Sequence, residues 1–262
     1  MTRRIYLASL ILCAATLSRA DEPANHDESL QKSVEAFQAR YALTTLYESA
    51  VDDHGQGKPD LWGVRNFRAV LPGILYRAGA NNSYRAAYGK PQLPNNGPLP
   101  EEGLTNLCQE GFSQAYYVYG ASGFKPAPTQ CERNGTTNVF NYSALHPQYS
   151  DHGRKTFLTA IRDRIVSGNH EPILVHCWNG YHASGVSSAI ALRQFCGLSA
   201  EEAVTYWITT ATPLEEKARE RSLAQIRNFK PIESLSITAK QQQMVCFQGP
   251  IAGQHAVWRL PR

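Results

Sequence analysis

Residues 176–185 of this chain read His-Cys-Trp-Asn-Gly-Tyr-His-Ala-Ser-Gly, directly after the apolar run Ile173-Leu174-Val175. A thiol ending a short buried strand, a mid-loop glycine and a helix start are the parts of an anion pocket. The loop's backbone N–H groups and the positive end of the helix then face one point, with the thiol at its base. In that setting Cys177 is a nucleophile, its thiolate form favoured by those same groups. Gly180 suits a turn where a side chain would obstruct the anion. His176 and Cys177 with His182 also offer three ligand-type side chains, so a metal or redox site is another reading. An inert core cysteine is a further one, although a plain core strand has no use for Gly180 or Ser184-Gly185.

The elements that must hold this loop flank it. Ile173 to His176 reads as a strand, and Ser184 to Phe195 as a helix. Upstream, Phe157, Ile161 and Ile165 share one face of a helix over 154–166, which Ser167-Gly168-Asn169 ends. Leu30, Val34, Phe37 and Tyr41 place a leading helix within 29–48, followed by a loop over 52–60. Pro91 to Pro100 is a loop, Glu101 to Glu110 a helix stopped at Gly111, Gln114 to Tyr119 a strand and Val139 to Tyr142 another. Ala121 to Gly135, rich in Gly and Pro, reads as an insertion. Ser199 with Glu202 and Thr212-Pro213 with Glu215 both fit the capping-box pattern, and Val204, Trp207, Ile208 and Ala211 give the first of these helices a buried face. Residues 230–262 show no decisive pattern. Strands alternating with helices and then a helical tail indicate an α/β fold, a central mostly parallel sheet flanked by helices.

The loop resembles the phosphate loop of the cysteine-dependent tyrosine and dual-specificity phosphatases, His-Cys-x-x-Gly-x-x-Arg-[Ser/Thr]-Gly. Asn66-Phe67-Arg68 followed by Gly73-Ile74-Leu75-Tyr76-Arg77 resembles the opening of small bacterial members, in which two short strands pair at a sheet edge. The resemblance covers roughly residues 64–211 and implies a cysteine-phosphatase-like domain, here taken as 61–262. It implies that Cys177 forms a cysteinyl-phosphate which water later hydrolyses. Ser184 would hydrogen-bond the sulfur and assist that second step, and His176 would orient the loop. Trp178, Asn179, Gly180, Tyr181, His182, Ala183 and Gly185 would complete the phosphate-binding loop.

The sequence departs from that pattern at Ala183, where the family has an arginine that grips two phosphoryl oxygens in a planar fork. Losing one neutral donor from an anion hole costs roughly 10²–10³ in rate, and losing a bidentate cation at least as much. Arg193 lies ten residues along the helix, about 15 Å of rise away. A neutral His182 is a poor substitute. The family's general acid is an Asp roughly thirty residues before the cysteine. Asp151 stands 26 before it and His146 stands 31 before it. Asp151 has an alternative as a helix N-cap and His146 as a solvated loop residue. Two functional readings therefore stand: an atypical phosphomonoester hydrolase with a cation from elsewhere, or a pseudophosphatase that binds a phosphorylated or other anionic ligand, or a protein partner.

Residues 1–20 read as an export signal, with Arg3 and Arg4 before the apolar run Ile5–Leu17 and Ser18-Arg19-Ala20 as the cleavage site. This places the protein in the periplasm or outside the cell. Residues 21–60 then form an N-terminal helical extension on the main domain. Three of the 26 Lys and Arg lie in the signal, leaving 23 against 22 acidic residues, a net charge of about +1. With no basic run, neither nucleic acid nor a membrane surface is an expected partner after cleavage, and no cofactor or metal is called for. Of six cysteines, Cys13 falls in the signal and five remain: Cys108, Cys131, Cys177, Cys196 and Cys246. An odd number in an oxidising compartment suggests two disulfides and one free thiol, Cys177. We pair Cys108 with Cys131 and Cys196 with Cys246, one of three pairings that four cysteines allow.

Overall fold

Alternation along Ile173-Leu174-Val175-His176-Cys177 divides the molecule into two cores. Ile173, Val175 and Cys177 join one, with Leu75, Tyr116 and Phe157. Leu174 joins the other, with Tyr76, Ala78, Ala115 and Tyr117. Side chains on a strand point alternately to its two sides, so a strand apolar on both must lie inside a sheet covered on both faces. This computed structural model describes residues 23–119, 124–125, 127–167 and 169–249. The export signal read at 1–20 lies outside them, as do residues 250–262.

Six strands form one mixed, mostly parallel sheet: β1 (Val64–Leu71), β2 (Leu75–Ala80), β3 (Gln114–Tyr117), β4 (Thr129–Arg133), β5 (Thr136–Ala144) and β6 (Ile173–Cys177). Their order is β1-β2-β6-β3-β5-β4. β2, β6, β3 and β5 run parallel, while β1 and β4 close the edges antiparallel. The α/β class with a mostly parallel sheet packed against helices is as the sequence indicates. The helices are α1 (Pro23–Tyr41), α2 (Glu101–Gln109), α3 (Asp151–Val166), α4 (Ala183–Phe195), α5 (Ala200–Thr210), α6 (Glu216–Asn228) and α7 (Ala239–Val245). Residues of α3, α4, α5 and α6 pack on the face that holds Cys177, and α2 packs on the other. Both proposed disulfides are present, Cys108–Cys131 and Cys196–Cys246, and Cys177 is free and buried.

Several elements depart from the sequence reading. The leading helix ends at Tyr41, because Ala42 takes a positive φ of 53°. Part of the segment read as an insertion is strand β4, joined to β5 by Asn134-Gly135, both at positive φ. That dipeptide is the strongest short hairpin signal a sequence carries. The second capping box does not form. α6 begins at Glu216, and Thr212 instead presents its carbonyl and hydroxyl to His182. The tail contains α7, capped by Thr238 and Gln241 in a reciprocal box whose pattern was present in the sequence.

Candidate active site

The site sits where β6 ends and α4 begins. Cys177 is 2 % exposed. Its Sγ lies 3.2 Å from the Oγ of Ser184, itself fully buried in the first turn of α4. A hydroxyl so placed donates to the sulfur whenever the sulfur is ionised. The first intrahelical bond here runs from Val186 N–H to His182 C=O, and the N-cap His182 makes no side-chain cap. The N–H groups of Ala183, Ser184 and Gly185 therefore stand at an uncapped positive helix end beside the sulfur.

The loop is held by its outward-facing carbonyls. Trp178 C=O accepts from Ala80 N–H at 2.9 Å, Asn179 C=O from the Asn66 amide at 3.4 Å, and His182 C=O from the Trp207 indole at 3.1 Å. Its tightest contact is backbone on backbone. Gly180 has φ +78°, and a Cβ there would lie 2.6 Å from Gly79 N. A Cβ on Gly79 would lie 2.4 Å from the Asn179 carbonyl carbon. Only glycine at both positions lets β2 and the loop approach this closely.

His176 faces away from Cys177. Its ring stacks on Tyr117 at 4.8 Å, and Nε2 lies 2.8 Å from the Tyr142 hydroxyl. Nδ1 faces the Cys177 carbonyl at 3.2 Å, which can only accept, so Nδ1 carries the proton and Tyr142 donates to Nε2. Tyr142 accepts in turn from Leu99 N–H at 2.9 Å. Burial holds this imidazole neutral, its pKa pushed down to about 3. His176 thus fixes the end of β6 from behind. Because it points to the opposite face from Cys177, the two do not converge on a metal, and the described residues hold no cluster of three or more metal-ligand side chains.

On the β3 side the loop carries an aromatic wall. Trp178 is 42 % exposed, yet its indole donates to Tyr117 Oη at 2.7 Å and packs on Tyr119 at 5.0 Å. Burial, with Cys177 close by, holds the Tyr119 hydroxyl above its ordinary pKa. On the opposite side burial, together with the nearby Asp53 carboxylate, raises the pKa of Tyr181. His182 Nε2 donates to Thr212 C=O at 3.0 Å, and its pKa is lowered by burial and then by Arg77.

The remaining sequence candidates lie as follows. Ala183 is the first residue of α4, 5 % exposed, its methyl group in the core. His146 anchors Nδ1–H at 3.0 Å on the C=O of Val118, the residue just past β3 that donates its own N–H to His176 C=O. Asp151 is the first residue of α3, but the N-cap is Ser150. The Asp151 side chain is 98 % exposed and paired with Arg154 at 2.7 Å, so it is not turned into the loop. Sequence reasoning missed Gly79, Tyr142, Trp207 and Arg77. Their common feature is a position on β2, β5 or α5 whose nearness to the loop arises only from the sheet order. A separate cleft of about 640 Å³, lined by Tyr47, Leu198 and Phe247 among others, includes none of the loop residues. No family model matches this chain, and no curated protein matches it.

Proposed function

We propose that this protein is an exported, atypical cysteine-dependent phosphatase of the dual-specificity type, acting on a phosphomonoester. The observation that carries the reading is the 3.2 Å contact between the only cysteine outside a disulfide among the described residues and a buried serine at an uncapped helix N-terminus. In the first step the Cys177 thiolate attacks phosphorus, an S–P bond forms, the ester P–O bond breaks and the alcohol leaves with a proton. In the second step water attacks phosphorus, the S–P bond breaks and orthophosphate departs. Ser184 then donates to the sulfur as it regains its charge. With Asp151 turned to solvent, the leaving group's proton comes from His146 or from water, which favours aryl over alkyl esters. The two disulfides support an oxidising compartment. No helix among the described residues is long and apolar enough to cross a membrane.

Turnover of an aryl phosphate tests this. Wild type is expected to release the phenol, Cys177→Ser to release none, and Ser184→Ala to show a burst followed by turnover slowed by about 10²-fold, the scale of one lost donor. Turnover that survives Cys177→Ser overturns the reading. The buried methyl of Ala183 favours one competitor, a pseudophosphatase that binds the anion without cleaving it. That reading expects no wild-type turnover but phosphate binding, with activity gained in Ala183→Arg.

A further inference from the structure

The chain places an arginine against the first turn of α4, though not at residue 183. Arg77 on β2 is in register with Val175, two residues before Cys177 on the neighbouring strand. Its guanidinium reaches α4: Nη1 lies 2.8 Å from where a Cβ on Gly185 would stand. Arg77 is 0 % exposed. Its partners are the Thr210 carbonyl, 3.0 Å from Nη2 at the negative end of α5, and the Tyr206 ring face, 5.2 Å away. Its Nε and Nη1 have no hydrogen-bond partner.

A second cation stands behind it. Arg68 is the cross-strand partner of Arg77 and donates to Asn66 Oδ1 at 2.9 Å and to the Tyr47 carbonyl. Among the described residues neither guanidinium has a carboxylate hydrogen-bond partner. Arg77 is wholly buried with no carboxylate partner, which is costly, and the like charge of the partly buried Arg68 on the facing strand position adds to that cost. An anion held by the loop at Cys177 would supply the opposite charge that offsets this cost.

We propose that Arg77, backed by Arg68, supplies from β2 the positive charge that the anion loop lacks at Ala183. It acts by its charge, from beside the first turn of α4, rather than by gripping the phosphoryl oxygens. The inference rests on reading the loop as an anion cradle, but not on turnover. A side chain at residue 185 would meet both the Arg77 guanidinium and the Trp207 indole.

The test uses inorganic phosphate and the alkylation of Cys177 by iodoacetamide, at constant ionic strength because surface charge is screened by salt. Phosphate is expected to protect the wild-type thiol. Arg77→Met should raise the half-protecting concentration at least about tenfold, as expected for one unit charge several ångströms away in a poorly screened interior. Arg77→Lys, which keeps the charge, should recover most of that loss, and Ala183→Arg added to Arg77→Met should restore protection. A merely structural arginine would not be rescued by a charge placed on another element. Arg68→Gln, at a partly exposed position, gives a second reading should Arg77→Met fail to fold. About a threefold weakening is expected for the more distant charge. Protection indifferent to both Arg77→Met and Arg68→Gln overturns the inference alone. Absence of protection in the wild type overturns the cradle reading and the inference with it.

Discussion

His176 shows how one residue can be chemically silent and still govern the site. Its ring is closed in by Tyr117 and Tyr142 and points away from the thiol. Its task is to hold the Cys177 peptide through Nδ1–H. That task carries a pH signature. The folded imidazole has a pKa near 3, against 6.5 when unfolded, so between those values the unfolded chain takes up a proton that the folded one refuses. Its contribution is complete above about pH 6.5 and declines as the pH falls toward 3, at no more than about 1.4 kcal/mol per pH unit. Urea unfolding at pH 7.5 and pH 5.0 checks this. Wild type should lose about 2 kcal/mol more than His176→Gln between the two conditions. Parallel losses would mean that His176 titrates as an ordinary histidine.

At the scale of elements, the site is a junction of β2, β6 and α4, and its least tolerant point is where two glycine backbones touch. A methyl on Gly79 would meet the backbone of Asn179 and Gly180, which cannot turn aside as a side chain can. Gly79→Ala is therefore expected to destabilise by about 1–3 kcal/mol and to displace the loop. Gly97, with nothing within 4 Å of its Cβ position, is the control, and Gly97→Ala should be neutral. The measurement is the urea midpoint together with the rate of Cys177 alkylation; a Gly79→Ala protein matching the control in both would refute the close approach. The sequence made β6 and α4 legible because a buried strand, a glycine turn and a helix are contiguous there. Both disulfides were legible from cysteine parity and their place in the chain. What it hid was lateral. Arg77 reads as a strand residue until the sheet order sets β2 beside β6, and Asp151 reads as a site acid or a helix cap until Ser150 takes the cap and the Asp151 carboxylate lies in solvent. Thr212 matched a cap pattern, but a local pattern loses when a tertiary partner such as His182 takes the same atoms.

At the scale of the whole molecule, the two covalent ties secure different flanks of the sheet. Cys108–Cys131 joins α2 to β4, the edge strand furthest from the loop in the sheet order. Cys196–Cys246 joins the residue capping α4 to the residue capping α7. α7 is also held to α1, through Lys240 with Asp27 at 3.0 Å and the Gln241 amide donating to Asp27 at 3.2 Å. The helix that begins at the Cys177 loop is thus fastened at its far end to the N-terminal helix. Sequence separations of 23 and 50 residues imply that the ties stabilise the fold by about 3 and about 4 kcal/mol through the unfolded chain. Replacing Cys196 and Cys246 by Ala should therefore lower the urea-measured stability more than replacing Cys108 and Cys131. Neither pair lies in the loop that carries Cys177, so its protection by phosphate should persist in both variants wherever they remain folded. On the unreduced, denatured chain beginning at residue 21, thiol titration should find one free sulfhydryl. Three would mean that one tie is absent, and none would mean that Cys177 itself is oxidised, which removes the nucleophile on which the proposed reaction depends.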